Sequence, residues 1–364
     1  MNTRIKSMIG GAVLATALIG PTWAAAPAAP PAPSAPAAQP APVAQPMVVA
    51  DARSQNWVTW PAKKFSASAV KFDDIVGTVI VEVGNGPGMT LNVQGLRQRL
   101  NALEVKTEGN TLRINGTTTN DVWNWREWFN FSGHEERNST KNLIIKVTVP
   151  RGADVNVNDL VGDATIGDTY GHLRFEAAAS RAKIGKVGKA EVSLAGSGKI
   201  DVAAVNGPLS LDIAGSGKVN IGPVNGPVKA SIAGAGTAAI GNISGGLNLD
   251  IAGSGDITAA SVNGRVSVDI AGSGSVKIAT GTANPLHVDI IGSGNFEFGG
   301  LAIDPRISAL GSGSVKLNAY KGKLSSDGSV TVKVNGQTVT VNNDDDDDDD
   351  GPHHHHHHDD DDDE

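Results

Sequence analysis

The tripeptide Gly-Ser-Gly, once Gly-Ala-Gly, begins at Gly196, Gly215, Gly234, Gly253, Gly272, Gly292 and Gly311, at intervals of 19, 19, 19, 19, 20 and 19 residues. A glycine-rich composition alone would not hold that interval, and the flanking residues repeat with it. A fixed period of this length marks a chain built from stacked units, each of which buries its apolar side only against its neighbours.

Within one unit, Leu209, Leu211 and Ile213 alternate with Ser210 and Asp212; after Gly215-Ser216-Gly217, Val219 and Ile221 alternate with Lys218 and Asn220. Alternation of period two belongs to strands with one buried face. Val224-Asn225-Gly226 then supplies a second turn before the cycle restarts at Val228. Each strand has its equivalent one unit away, not a hairpin partner beside it, so successive units are expected to stack in parallel about 4.8 Å apart.

The expected inward rows are Leu194, Ile213, Ile232, Ile251, Ile270 and Ile290; Val192, Leu211, Ala230, Leu249, Val268 and Val288; and Val202, Ile221, Ile240, Ala259, Ile278 and Phe298. An outward row reads Ser193, Asp212, Ser231, Asp250, Asp269, Asp289 and Ser308. The corner glycines answer a bend where a Cβ would clash or φ is positive. The serine row from Ser197 to Ser312, broken by Ala235, and the row Asn206, Asn225, Ser244 and Asn263 read as turn chemistry, not as a ligand-binding comb. Upstream the repeat decays into Ala178-Ala179-Ser180, Ile184 and Val187, with Ile166 one coil earlier.

Residues 65–156 alternate without the 19-residue period, with Val105 facing Leu112 and Ile114 across Glu108-Gly109-Asn110, and one short helix at Leu96, Leu100 and Leu103. Within that stretch, Trp123, Trp125, Trp128 and Phe129 form an aromatic strip that either contacts a ligand or folds back with Trp57 and Trp60 to plug the solenoid's end. At the other end Val330, Val332, Val334, Asn335-Gly336, Val339 and Val341 read as a closing hairpin.

The termini carry different signals. Arg4 and Lys6, the apolar run Met8–Ile19, Gly20-Pro21 and Ala24-Ala25-Ala26 have the layout of a secretory signal peptide. Residues 27–46 hold eight prolines, the composition of an extended polyproline spacer. No later apolar stretch is long enough to span a bilayer, so no transmembrane segment is expected in the mature chain. There is no cysteine for a disulfide or a lipid anchor. The net charge of −8 becomes +5 once the 13 carboxylates of residues 344–364 are set aside, which is no strong charge bias that would argue for nucleic acid or an anionic membrane.

The repeated string [LI]-[AI]-G-S-G-x-[VIF], at Leu194–Ile200, Ile213–Val219, Ile251–Ile257, Ile270–Val276 and Ile290–Phe296, resembles the exported bacterial family described as the putative autotransporter adhesin head GIN domain. The resemblance spans residues 65–322; it implies a parallel β-solenoid outside the cytoplasm and carries over no catalytic residue. No lipid-facing strands follow the repeat, so a self-secreting barrel is not expected.

One segment has evident metal chemistry. His353, His354, His355, His356, His357 and His358, flanked by Asp349, Asp350, Asp359 and Asp360, offer imidazoles suited to Zn²⁺, Ni²⁺ or Cu²⁺ with carboxylates on either side. The run reads either as part of the native chain or as a purification tag, and no cofactor is required by the rest. His134, His172 and His287 stand singly. The Gly-Ser-Gly corners are not phosphate loops, because no Lys-Ser/Thr follows and each leads into a strand. The regular Asp row is not clustered with a base or a ligand set as an active site would need.

The expected organisation is a signal peptide at 1–24, a Pro/Ala-rich linker at 25–47, a β-rich N-terminal cap at 48–156, the solenoid at 157–322, a capping hairpin at 323–343 and an Asp/His tail at 344–364. The fold class is all-β, a single-stranded parallel β-helix with about 19 residues per coil. The expected function is a non-enzymatic, adhesin-like scaffold in the periplasm or on the cell surface, binding an envelope polysaccharide or protein and carrying a metal-binding tail. The alternatives are a periplasmic metal buffer working through the tail and, behind it, a carbohydrate-active enzyme.

Overall fold

The computed structural model describes residues 56–116, 143–328 and 331–339. The expected signal peptide and linker, the aromatic strip at Trp123, Trp125, Trp128 and Phe129, and the Asp/His tail lie outside the described residues. The chain divides into two units, Met1–Val49 and Ala50–Glu364. The second unit holds all the described residues.

It is a β-solenoid of about nine turns, with equivalent residues about 19 apart. Leu194, Ile213, Ile232, Ile251, Ile270 and Ile290 pair in unbroken parallel register and end on Ala309. The row that begins at Val192 and the row that begins at Val202 run beside it as the alternation requires. All of these side chains are buried, each aliphatic contributing about 1.5–3 kcal/mol by leaving water.

One inward row was not expected. Val187, Val205, Val224, Ile243 and Val262 stack at the Asn-Gly corner and are buried, so the corner itself contributes to the core. Beside them Asn225 Nδ2 donates to Asn206 Oδ1 at 3.4 Å, one instance of the amide stacking that the repeat implies.

The two glycines of each Gly-Ser-Gly corner are required for different reasons. Gly253 has φ +124°, and a Cβ there would lie 2.5 Å from the Gly234 carbonyl oxygen. Gly255 has no positive φ; its added Cβ would lie 2.6 Å from Ile232 Cγ2 on the rung before. The serine between them is exposed, but its amide continues the ladder: Ser254 N donates to Gly234 O at 2.9 Å, as Ser216 N does to Gly196 O. The single 20-residue interval is absorbed at a bulge, where Asn284 and Pro285 stand opposite Arg265 between the pairs Gly264–Ala283 and Val266–Leu286.

Toward the N-terminus Ile166 pairs with Ile184, and the ladders continue past residue 157 in an order different from that of the chain. Ala69–Asp73 and Val76–Gly84 stack in parallel on Asp154–Ile166. Thr111–Gly116 and Leu143–Pro150 stack in turn on those two strands. Antiparallel partners then end the parallel stack: Leu103–Glu108 on Thr111–Gly116, with Val105 opposite Ile114, and Met89–Leu96 on Leu143–Pro150. The short helix Arg97–Asn101 joins these two partners and buries Leu100. Trp57–Thr59 and Lys63–Phe65 add to Met89–Leu96; Trp60 packs against the core, whereas Trp57 is exposed.

At the other end Thr331–Val334 is the last parallel rung on Ser314–Lys321 and turns back antiparallel into Gln337–Val339. Asn335 and Gly336 both have positive φ, 49° and 79°, the conformation of a two-residue hairpin turn whose twist matches the strands.

The distinct roles of neighbouring corner residues predict unequal costs. Gly253→Ala is expected to destabilise the fold by about 2 kcal/mol or more, while Ser254→Ala, one residue away, stays within about 0.5 kcal/mol. Urea unfolding midpoints followed by circular dichroism measure both.

Candidate functional site

Residues that alternate with the inward rows form outward rows in the same register, and the Ser/Asp row read from the repeat continues upstream into the out-of-order rungs. Asn115, Asp73 and Asn158 pair in sequence there. Glu176, on the adjoining rung past a bulge, pairs with Ser193, where the regular row begins. One outward position earlier, Arg113, Lys71, Asn156, Arg174 and Glu191 form a parallel row. Val70, Phe72, Ile114, Val155 and Val157 alternate with these residues and are buried, which fixes the polar side chains on the outer face.

Between the two rows lies a cleft of about 480 Å³ lined by Lys71, Asp73, Asp74, Arg113, Asn156, Asn158, Asp159, Arg174 and Glu176. Asp73, 7% exposed, is its anchor. Arg113 Nε donates to Asp73 Oδ2 at 2.8 Å, Asn158 Nδ2 donates to Oδ1 at 2.7 Å, and Lys71 Nζ is 3.1 Å from Oδ1. Burial pushes this carboxyl up, but the hydrogen bonds from Asn158 and Lys71 and the charges of Lys71 and Arg113 outweigh it and hold Asp73 below the ordinary carboxylate range.

Asp74 and Asp159 occupy equivalent corners on adjacent rungs, both with positive φ, 53° and 52°. Neither has an ion-pair partner among the described residues. Burial, then the charges of Asp159 and Asp73, raise the Asp74 carboxyl. Arg174 is engaged on both sides, by Glu176 and by Glu191 at 3.1 Å. Asn156 Oδ1 is sealed from solvent at the cleft wall without a hydrogen-bond partner.

Farther along the same face the row turns acidic. Asp250, Asp269 and Asp289 are consecutive register partners. Burial, then Asp289 and Asp250, hold the Asp269 carboxyl above its ordinary value; His287 Nε2 lies 2.9 Å from Asp289 Oδ2. Two residues on, the outward row is alanine through Ala271 and then becomes Ile291 and Leu310, which are 61% and 65% exposed. On another side, an open apolar trough of about 700 Å³ has Ile166, Ile184, Val202, Ile221 and Ile240 in its wall. At its rim Asn220 Nδ2 donates to Asp201 Oδ1 at 2.6 Å.

Among the described residues no three His, Asp or Glu side chains come together to hold a metal. His172 lies with its Nε2 3.5 Å from Glu191; His134, like the tail histidines and the aromatic strip, is outside the described residues.

Sequence reasoning missed the cleft, yet a signal was present. Val70-Lys-Phe-Asp-Asp-Ile-Val-Gly77 and Val155-Asn-Val-Asn-Asp-Leu-Val-Gly162 are versions of one octapeptide. They lie 85 residues apart, the separation of the Asn158–Asp73 hydrogen bond; a search at a period of 19 passes over them.

Residues 241–337 match the family model described as "Putative auto-transporter adhesin, head GIN domain". This confirms the resemblance carried by the repeated Gly-Ser-Gly string over those residues. Among solved structures, a "putative lipid binding protein" from Parabacteroides distasonis ATCC 8503 is 17% identical, covers 78% of this chain and 96% of its own, and has a TM-score of 0.38. A "putative adhesin" from the same organism is 16% identical, with coverage of 73% and 96% and a TM-score of 0.33. A "putative adhesin" from Bacteroides fragilis NCTC 9343 is 14% identical, with coverage of 78% and 98% and a TM-score of 0.27. The register ladders, not these likenesses, carry the fold. No curated protein matches the chain.

The two ends of the polar face should respond to acid with opposite sign. The lowered pKa of Asp73 adds stability above its unfolded value near 3.8, which is lost as pH falls through the folded value. Asp73→Asn should therefore cost about 1–3 kcal/mol at neutral pH. Asp269 has a raised pKa, so its penalty is full above the folded value and gone below the unfolded value of 3.8. Asp269→Asn should then stabilise by a few tenths to about 1 kcal/mol at pH 7, a gain that vanishes on acidification. Thermal unfolding of both variants between pH 3 and pH 7 checks the two signs.

Proposed function

We propose that this chain, whose residues 241–337 match an adhesin head-domain model, is an exported, non-catalytic envelope protein that holds another macromolecule against the polar face of its solenoid. The observation that carries this reading is the cleft around Asp73, where side chains from four rungs are fixed before any ligand arrives. Strands paired on both sides do not need ordering on binding, so the entropy cost that weakens flexible sites is largely avoided.

The chemistry of the cleft favours holding over turnover. Its best-buried carboxylate is pushed below the ordinary range and locked by three partners, which unfits Asp73 as a general acid at neutral pH; Asp74 beside it is shifted the other way. Export rests on the signal-like N-terminus; no helix among the described residues is long and apolar enough to cross a membrane. On this reading the tail, His353–His358 with its flanking Asp runs, adds a separable site for Zn²⁺, Ni²⁺ or Cu²⁺.

Two measurements test the proposal. Asp74→Asn/Asp159→Asn changes exposed groups without touching the Asp73 anchor; it should reduce retention of the protein on envelope fractions at least tenfold, and undiminished retention would place the interaction elsewhere. Deleting residues 344–364 should abolish Zn²⁺ uptake in equilibrium dialysis and leave envelope retention intact. Loss of both would make the tail the functional part, and degradation of any polysaccharide by the tail-less protein would make it an enzyme.

A further inference from the structure

We infer that the apolar trough is a second binding site, for a fatty acid whose chain lies along the solenoid axis with its carboxylate at the rung of Ile184. This site stands apart from the polar face and does not rest on the function proposed for it. Ile166, Ile184, Val202, Ile221 and Ile240 are consecutive partners in one inward ladder. The residues that follow the last four are Gly185, Ala203, Gly222 and Gly241, so no long outward side chain screens the flank of the row. At Gly222 a Cβ would lie 1.9 Å from the Ala203 carbonyl oxygen, and the opening there is fixed by the backbone.

The result is a trough of about 700 Å³, within the about 300–1,000 Å³ of small-ligand sites. It crosses five rungs, four spacings of about 4.8 Å, so it runs about 19 Å along the axis. Its strands are paired with the rungs before and after them, which leaves a peptide strand no free backbone groups to bond. What the floor does offer is apolar surface in a straight line, and each methylene laid on it leaves water.

The rim gives the trough two unlike ends. Its outward row reads Thr165, Lys183, Asp201, Asn220 and Ala239 in register. Asp201 is engaged, with Lys199 Nζ at 3.0 Å and Asn220 Nδ2 donating at 2.6 Å. Lys183 has no ion-pair partner among the described residues, and neither has Lys186, which follows Gly185 on the same rung. Both lysines are exposed. Asp168 is the carboxylate beside Gly185, and its Oδ1 accepts the Lys186 backbone amide at 2.8 Å. Two unpaired ammonium groups therefore stand against one carboxylate already bonded to the backbone, and the balance at this rung is positive.

At the rungs of Ile221 and Ile240 the trough is lined by Asn220, Gly222, Ala239 and Gly241 and carries no charge. Above Lys183 only the rung of Ile166 remains, so the long uncharged run lies on the other side. An occupant matched to this gradient has one anionic group at one end of an unbranched hydrocarbon. Its carboxylate meets the two ammonium groups, whose apolar stems add cover to the first methylenes, and its chain passes over Val202 and Ile221 toward Ile240. A cationic amphiphile of the same length would bring like charge against Lys183 and Lys186.

The test is titration calorimetry of the full chain, stripped of bound lipid, with dodecanoate, octanoate and dodecyltrimethylammonium below their micelle concentrations. Dodecanoate should bind at least tenfold more tightly than octanoate, because its additional methylenes reach farther along the floor, and at least tenfold more tightly than the ammonium compound. Lys183→Gln/Lys186→Gln should weaken dodecanoate at least tenfold. So should Ala239→Glu, which sets a carboxylate at the hydrocarbon end; circular dichroism should be unchanged in both variants. Ser216→Ala, at a corner outside the trough, should leave the affinity as it is. No binding of dodecanoate, equal binding of the ammonium compound, or indifference to either trough variant overturns the assignment. So does self-association in sedimentation that Ala239→Glu abolishes, an outcome that gives the trough to a second copy of the chain.

Discussion

Everything in this structure depends on the backbone of one rung lying in register on the backbone of the next. The hydrogen bonds responsible do not stop at the strand ends: they pass through the Gly-Ser-Gly corner, where Ser273 N donates to Gly253 O just as Ser254 N donates to Gly234 O. Because the corner is part of the ladder, its conformation must be the same on every rung. That is why Gly253 must reach a positive φ and Gly255 must leave room for Ile232 on the rung before. The inward rows follow, since residues at the same place in each coil are brought to the same place in the core.

The same register that builds the core also dictates the surface. Side chains that point outward are stacked as strictly as those that point inward, whatever their charge. Where unlike groups coincide, as at Arg113, Asp73 and Asn158, the result is a locked polar network; where like groups coincide, as at Asp250, Asp269 and Asp289, carboxylates are forced together and the middle one resists ionisation. A solenoid cannot relax such contacts by moving a loop. That rigidity fixes the positions of the outward groups as firmly as those of the core.

The ends show how the parallel stack is stopped. A parallel rung exposes unpaired backbone groups that invite another strand. Here Leu103–Glu108 and Met89–Leu96 cover one end with antiparallel pairing, and the turn at Asn335-Gly336 folds Gln337–Val339 onto Thr331–Val334 at the other. The charged cleft lies near the first of these ends, where chain order and spatial order part company.

Much of this could be read from the amino acids alone. The 19-residue interval, the alternation through Leu209–Ile213 and the paired corner glycines determined the solenoid, the inward rows on its strands and its Ser/Asp outward row, because a constant offset in sequence becomes a constant step in space. The inward turn of Val224 escaped, since an Asn-Gly corner looks the same whether the residue before it faces core or water. The cleft was decided only by tertiary structure. Asp73 meets Arg113 at a separation of 40 residues and Asn158 at 85, whereas the regular rungs bring Asn220 to Asp201 at 19. When a strand is laid between two others that are remote in the chain, no single period encodes which side chains will meet; that depends on the route the backbone takes to complete the stack.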